Sequence, residues 1–180
     1  MSKCVTPEFR ASYVKVFTPG KMPSGEERYS LQMLFPKDSS DFSIIQKTIQ
    51  EVLIKKFGTK ENIPKGLKMP IRDGDKEEKG GDYTGNYFMN ASSKSAPGVV
   101  DRKKQPIIDV DEFYSGCWAK AQVAFYYFDN SGNKGVGVGL HNLQKVRDDD
   151  RLDGREKAED AFDELPTDNT TAGDEVDIFG

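Results

Sequence analysis

Apolar residues in this chain alternate in some stretches and recur at helical spacing in only one. Over residues 28–35, Tyr29, Leu31, Met33 and Phe35 alternate with Arg28, Ser30 and Gln32, the period of a strand whose odd face is core. Residues 9–17, rich in β-branched and aromatic side chains, read as a preceding strand, and the Thr/Pro/Gly/Ser run 18–25 as the turn of an antiparallel meander. At 41–57 the period changes: Phe42, Ile45, Ile49, Val52 and Leu53 form one stripe of a helix. Ser40 or Asp41 can cap that helix, Lys55 and Lys56 suit its C-terminus, and Gly58 supplies the stop. Residues 59–81 lack periodicity and read as a long loop, whereas 83–93 returns to strand character. Residues 99–110 are interrupted by Pro106.

The clearest hairpin is 117–128 and 134–146, joined by Asp129-Asn130-Ser131-Gly132-Asn133. Cys117, Ala119, Ala121, Val123, Phe125 and Tyr127 would face the core, and Trp118, Lys120, Gln122, Ala124, Tyr126 and Phe128 the other side. On the return strand Val136, Val138 and Leu140 share a face, and Gly135, Gly137 and Gly139 leave its reverse bare, which suits the bend of a small closing barrel. The expected fold is mainly β: an OB-type, five-stranded curved barrel with one inserted helix, spanning residues 1–147, followed by an acidic tail over 148–180.

Composition narrows the function. None of the 180 residues belongs to an apolar run of membrane-spanning length, and the first ten have no secretory signal. Cys4 and Cys117 lie far apart without a CxxC, which fits a reducing compartment and supports neither a disulfide framework nor zinc. His141 is the single histidine, and no GxxxxGK[ST] phosphate loop occurs, so no cofactor and no metal is expected. The alternative with catalytic chemistry is a metal-dependent nuclease on the acid pairs Asp73/Asp75 and Asp109/Asp111; an acidic-tailed structural or inhibitory protein is another.

The formal net charge of -4 averages two opposed parts. From Asp148 onward thirteen acids face three bases, net -10; the preceding body has 23 bases against 17 acids, net +6. A basic body with aromatics interleaved on strands suits single-stranded nucleic acid, whose bases stack on rings beside cations that follow the phosphates. The candidate aromatics are Tyr83, Tyr87, Phe88, Tyr114, Trp118 and Tyr126; the candidate bases are Arg10, Lys15, Lys68, Arg72, Lys94, Arg102, Lys103, Lys104 and Lys120. The tail ends on Asp174, Glu175, Asp177, Ile178 and Phe179, three acids and an apolar pair that a partner would take up. A short helix is expected over 155–165.

The stretches Tyr87-Phe88-Met89-Asn90-Ala91-Ser92, Val99-Val100-Asp101-Arg102, Glu112-Phe113-Tyr114-Ser115-Gly116-Cys117, 127–136 and 142–148 resemble a family of small tailed-phage single-stranded DNA-binding proteins. A more distant likeness is to the T7-type phage single-stranded DNA-binding protein. The resemblance implies an OB fold that coats single-stranded DNA without sequence preference in replication and recombination, in the cytoplasm of an infected bacterium. It also implies a tail that recruits phage or host replication and recombination proteins and competes with DNA. Gly180 follows the aromatic on which many such tips end.

Overall fold

The computed structural model describes residues 1–153 and 161–166. The tail tip and most of the expected 155–165 helix lie outside the described residues. The strands are β1 (Ser2–Val5), β2 (Phe9–Lys21), β3 (Glu27–Pro36), β4 (Arg72–Asp73), β5 (Asn86–Ser93), β6 (Gly98–Val100), β7 (Trp118–Asn130) and β8 (Asn133–Arg147), and the helix α1 is Ser43–Phe57.

Five strands close on themselves: β2 pairs β3, β3 pairs β5, β5 meets β8, β8 pairs β7, and β7 returns to β2. Every contact in the ring is antiparallel except β5 with β8, which touch in parallel at Ser92 and Gly139. This is the connectivity of the expected OB type, with α1 inserted between the second and third ring strands. Three short strands are additions to it. β1 extends the sheet beyond β7, β4 lies on β5, and β6 runs parallel to β8.

Alternation fills the interior. Phe9, Ala11, Leu31, Met33, Phe35, Met89, Ala91 and the odd residues of β7 from Ala119 to Phe125 form the core, closed on one side by Ile45, Ile49, Val52 and Leu53 of α1. The helix starts two residues later than expected, at Ser43 with Phe42 at the N-cap position, although the Asp41 carboxylate still accepts the Ser43 N–H at 2.9 Å; it stops as expected at Gly58, whose φ is 89°. The hairpin turn is tighter than the sequence suggests: strands run to Asn130 and from Asn133, leaving Ser131 (φ 53°) and Gly132 (φ 90°), the doubly left-handed pair that a two-residue hairpin needs.

Four expectations change. In β3 the face opposite the core is covered too, since Gln32 and Leu34 are buried. Tyr83 lies in a short 3-10 turn, Gly81–Tyr83, and the strand begins only at Asn86. The bare glycines of β8 serve close approach more than bending: a Cβ on Gly135 would strike the Lys68 carbonyl, and one on Gly137 would strike the Tyr126 ring. Finally, the acidic segment does not leave the body at residue 148. Leu152 donates its N–H to Ser115 O at 2.9 Å, and the Arg151 side chain is largely buried.

Candidate nucleic-acid interface

The outer side of the ring carries one continuous row. Arg10 of β2 stands opposite Trp118 of β7 and Leu34 of β3; Leu34 stands opposite Phe88 of β5, and Phe88 opposite Arg72 of β4. Phe9 and Ala11 flank Arg10 and point into the core, so the pleat sends Arg10 outward; Met33 and Phe35 do the same for Leu34. The result is a row across five strands in which Arg10 stands between the Trp118 ring and the aliphatic Leu34, and Phe88 between Leu34 and Arg72. Four of the residues singled out in the sequence, Arg10, Arg72, Phe88 and Trp118, belong to it.

At the β4 end Phe88 is only 1% exposed. The Arg72 guanidinium lies 4.9 Å from its ring centroid, and Tyr83 meets it edge-on at 5.1 Å. Lys79 stands 5.4 Å from the Tyr83 ring and 5.5 Å from that of Phe88. Phe88 is therefore a floor, and Tyr83, Arg72 and Lys79 present the surface. Lys37 fixes the loop that brings them there by donating to Asp73 at 2.6 Å and Asp75 at 2.8 Å. Those bonds hold both carboxyls below their ordinary range. The acid pair considered for Mg²⁺ is thus spent on an ammonium, while Asp109 accepts the Asp111 N–H in an exposed turn.

Beside this row a cleft of about 300 Å³ opens between Ser12, Tyr13, Lys15, Leu34, Tyr83 and Ser115. Tyr13, absent from the sequence-derived candidates, is 65% exposed and has φ 47°. It sits where the β2–β3 register slips between Ser12 and Lys15. The signal was present: the core phase moves from Phe9 and Ala11 to Val16, and a bulge between them turns Tyr13 out.

The β7 end is clamped. Trp118 donates its indole N–H to Asp149 at 2.8 Å, and the Arg147 guanidinium lies 4.4 Å from the Trp118 ring centroid. Arg10 donates to Gly116 O at 3.1 Å and Asp150 O at 2.7 Å. Tyr114, 4% exposed, donates its hydroxyl to Asp148 at 2.8 Å, and Lys145 pairs with the same carboxylate at 2.7 Å. Burial, then the Asp148 contact, pushes the Tyr114 phenol up to about 12. The indole N–H, with help from Arg10 and Arg147, holds the Asp149 carboxyl below its usual range. Tyr114 is a support for this neck and not an open ring.

The remaining candidates scatter. Lys120 and Arg102 line a second cleft of about 380 Å³ with Glu8, Gln144 and Lys145, next to the exposed turn of Lys103 and Lys104. Tyr126 covers Gly137 farther along the same outer face. Lys94 pairs with Glu26 at 3.5 Å, and Lys68 is engaged through its backbone with β8. Tyr87 points to the opposite side of the sheet, against Phe42 at 4.9 Å.

Fold and row together define an OB-type domain with a basic and aromatic outer face. The chain belongs to the family described as Enterobacter phage Enc34, ssDNA-binding protein, which it matches over residues 2–175. Protein p50 of Acyrthosiphon pisum secondary endosymbiont phage 1 is 36% identical over 167 residues, 87% of this chain and 90% of that one. Among solved structures, the single-stranded DNA-binding protein from bacteriophage Enc34 in complex with ssDNA superposes with a TM-score of 0.70 at 24% identity, covering 84% of this chain and 89% of that one. The single-stranded DNA-binding protein gp2.5 of bacteriophage T7 gives 0.58 at 16% identity, covering 87% and 98%.

Proposed function

We propose that this protein coats single-stranded DNA without sequence preference during phage replication and recombination, in the cytoplasm of the infected bacterium, and performs no chemistry on it. The observation that carries this is the row Trp118, Arg10, Leu34, Phe88, Arg72, with Tyr13 and Tyr83 standing beside it. In OB domains the face of the second and third ring strands takes the ligand, and here those are β3 and β5. Tyr13, Tyr83 and Trp118 are the rings available for stacking, each such contact contributing about 1–3 kcal/mol. Lys15, Arg72 and Lys79 flank them, and Arg102, Lys103, Lys104 and Lys120 extend the positive surface for phosphates. The Enc34 neighbour's complex with ssDNA supports the same ligand class.

The acidic tail beyond residue 153 is the partner-recruiting part and a competitor for the basic face, its net -7 set against the +3 of residues 1–153. The tip residues Asp174, Glu175, Asp177, Ile178 and Phe179 offer charge and apolar surface to replication and recombination proteins.

Titration of Trp118 fluorescence with oligonucleotides tests the reading. Single strands of different sequence should bind alike, duplex much more weakly, and affinity should fall steeply with salt. Equal affinity for duplex and single strand, or none for either, would overturn it.

A further inference from the structure

The outer face of the sheet carries a second row beside the first. Ser12 of β2 stands opposite Gln32 of β3, and Gln32 opposite Asn90 of β5. Leu31 and Met33 point into the core, so Gln32 points outward with Leu34. Where the first row offers rings and cations, this one offers a hydroxyl and two amides. Gln32 is only 7% exposed, and its Oε1 has no hydrogen-bond partner among the described residues. A buried acceptor left unmet costs stability and calls for an explanation. Burial pushes the Tyr83 phenol above its ordinary value, and the Gln32 amide beside that phenol works the other way, with Tyr13 as a further neighbour. Ser12, Tyr13, Leu34 and Tyr83 all line the cleft of about 300 Å³, so Gln32 lies at its floor, under the two tyrosines.

That cleft is at the small end of ligand sites and suits one planar ring system held between phenols. Lys15 in its lining suits a phosphate. The Asp82 carboxylate, also in the lining, only accepts hydrogen bonds, and together with Gln32 Oε1 it calls for N–H donors. We propose, resting on the DNA-coating reading, that this cleft takes one nucleobase of the bound strand and selects for an exocyclic amine, whose N–H the Gln32 Oε1 accepts. Tyr13, 65% exposed on its bulge, moves aside to admit the ring and stacks on it. Enzymes that extrude a base read it in the same way, by stacking on its face and hydrogen bonds to its edge. Adenine and cytosine carry the amine where thymine presents O4, and guanine carries one at N2. Thymine would set oxygen against oxygen. Strands of mixed sequence still bind alike, because three of the four bases bring an amine and a strand can slip by a nucleotide; only runs of thymine are disfavoured.

The test uses the full chain and calorimetric titration with oligodeoxycytidine and oligodeoxythymidine of equal length. The cytidine strand should bind about tenfold more tightly, the scale of one mismatched base contact. A strand of 2-pyrimidinone deoxyriboside, which differs from the cytidine strand only in lacking the amine, should bind as the thymidine strand does. Q32M should bring cytidine down to the thymidine level and leave thymidine binding unchanged. It should hold or raise the melting temperature, because an unmet buried acceptor is gone. Q32E keeps an acceptor at that place and should keep the preference. Equal binding of the cytidine and thymidine strands by the parent, or a preference that survives Q32M or the loss of the amine, would overturn selection by Gln32 and leave the DNA-coating reading standing. A parent that binds neither strand would overturn both. Should Q32M fail to fold, the pyrimidinone strand decides.

Discussion

Tyr13 is the residue at which conformation and function meet. A bulky side chain at φ 47° costs about 1–2 kcal/mol of backbone strain, and strain of this kind persists where the side chain is needed. Y13G should therefore hold or raise the melting temperature while weakening single-stranded DNA binding by roughly tenfold, within the 1–3 kcal/mol of one stacked base. A variant that binds as tightly as the parent would remove Tyr13 from the site.

Asp149 makes a second residue-scale prediction. Its carboxyl is held below the usual range because the Trp118 N–H and the neighbouring arginines favour the ionised form. The clamp thus contributes fully above the ordinary carboxylate range near pH ~4, and it is lost as pH falls through the depressed folded value. Trp118 emission should stay flat from neutral pH downward and change only below about pH 4, and D149N should abolish that step. A transition near neutrality would contradict the clamp.

Among the elements, β8 shows best what alternation conveys and what it omits. Val136, Val138 and Leu140 are buried as the sequence indicates, but past the register slip opposite Gln122 and Val123 the inward position passes to Leu143. Simple alternation has no means of placing that slip. The three glycines look equivalent in the sequence and differ in their surroundings. G135A must displace the Lys68 backbone that bridges β8 and should cost about 1–3 kcal/mol, as overpacking does. G139A meets nothing closer than Ala124 O at 3.6 Å and should be nearly neutral. Chemical denaturation of the two variants separates them; equal losses would mean that the close approach at Gly135 is not a constraint.

The helix was legible because its stripe and stop are local signals, and so was the hairpin. β1 and β4 were not, since four and two residues hold no period and both form only by pairing with distant strands. The same limit applies to the site. Arg10, Phe88, Arg72 and Trp118 could be named as residue types, but only the β7–β2–β3–β5–β4 register makes them one row. Tyr87 and Phe88 adjoin in sequence and face opposite sides of the sheet, which no compositional argument separates.

At the scale of the molecule, the net charge of -4 conceals its distribution, a basic body and an acidic tail. The structure moves the border between them, for Asp148, Asp149 and Asp150 are bound to Tyr114, Trp118 and Arg10 and belong to the body. Competition with DNA therefore falls to the acids beyond residue 153. A chain ending at 153 should bind single strands more tightly than the full chain, most visibly at low salt where tail repulsion is least screened. Unchanged affinity would leave the tail only its part in recruiting partners.

The most direct measurement is a map of amide shifts in the full chain as a short single-stranded oligonucleotide is added. The shifts should follow the outer face, through Trp118, Arg10, Leu34, Phe88 and Arg72 with Tyr13 and Tyr83, and spare Ile49 and Leu53 beneath α1. Shifts gathered around α1, with the row unmoved, would contradict the placement of the DNA on this face.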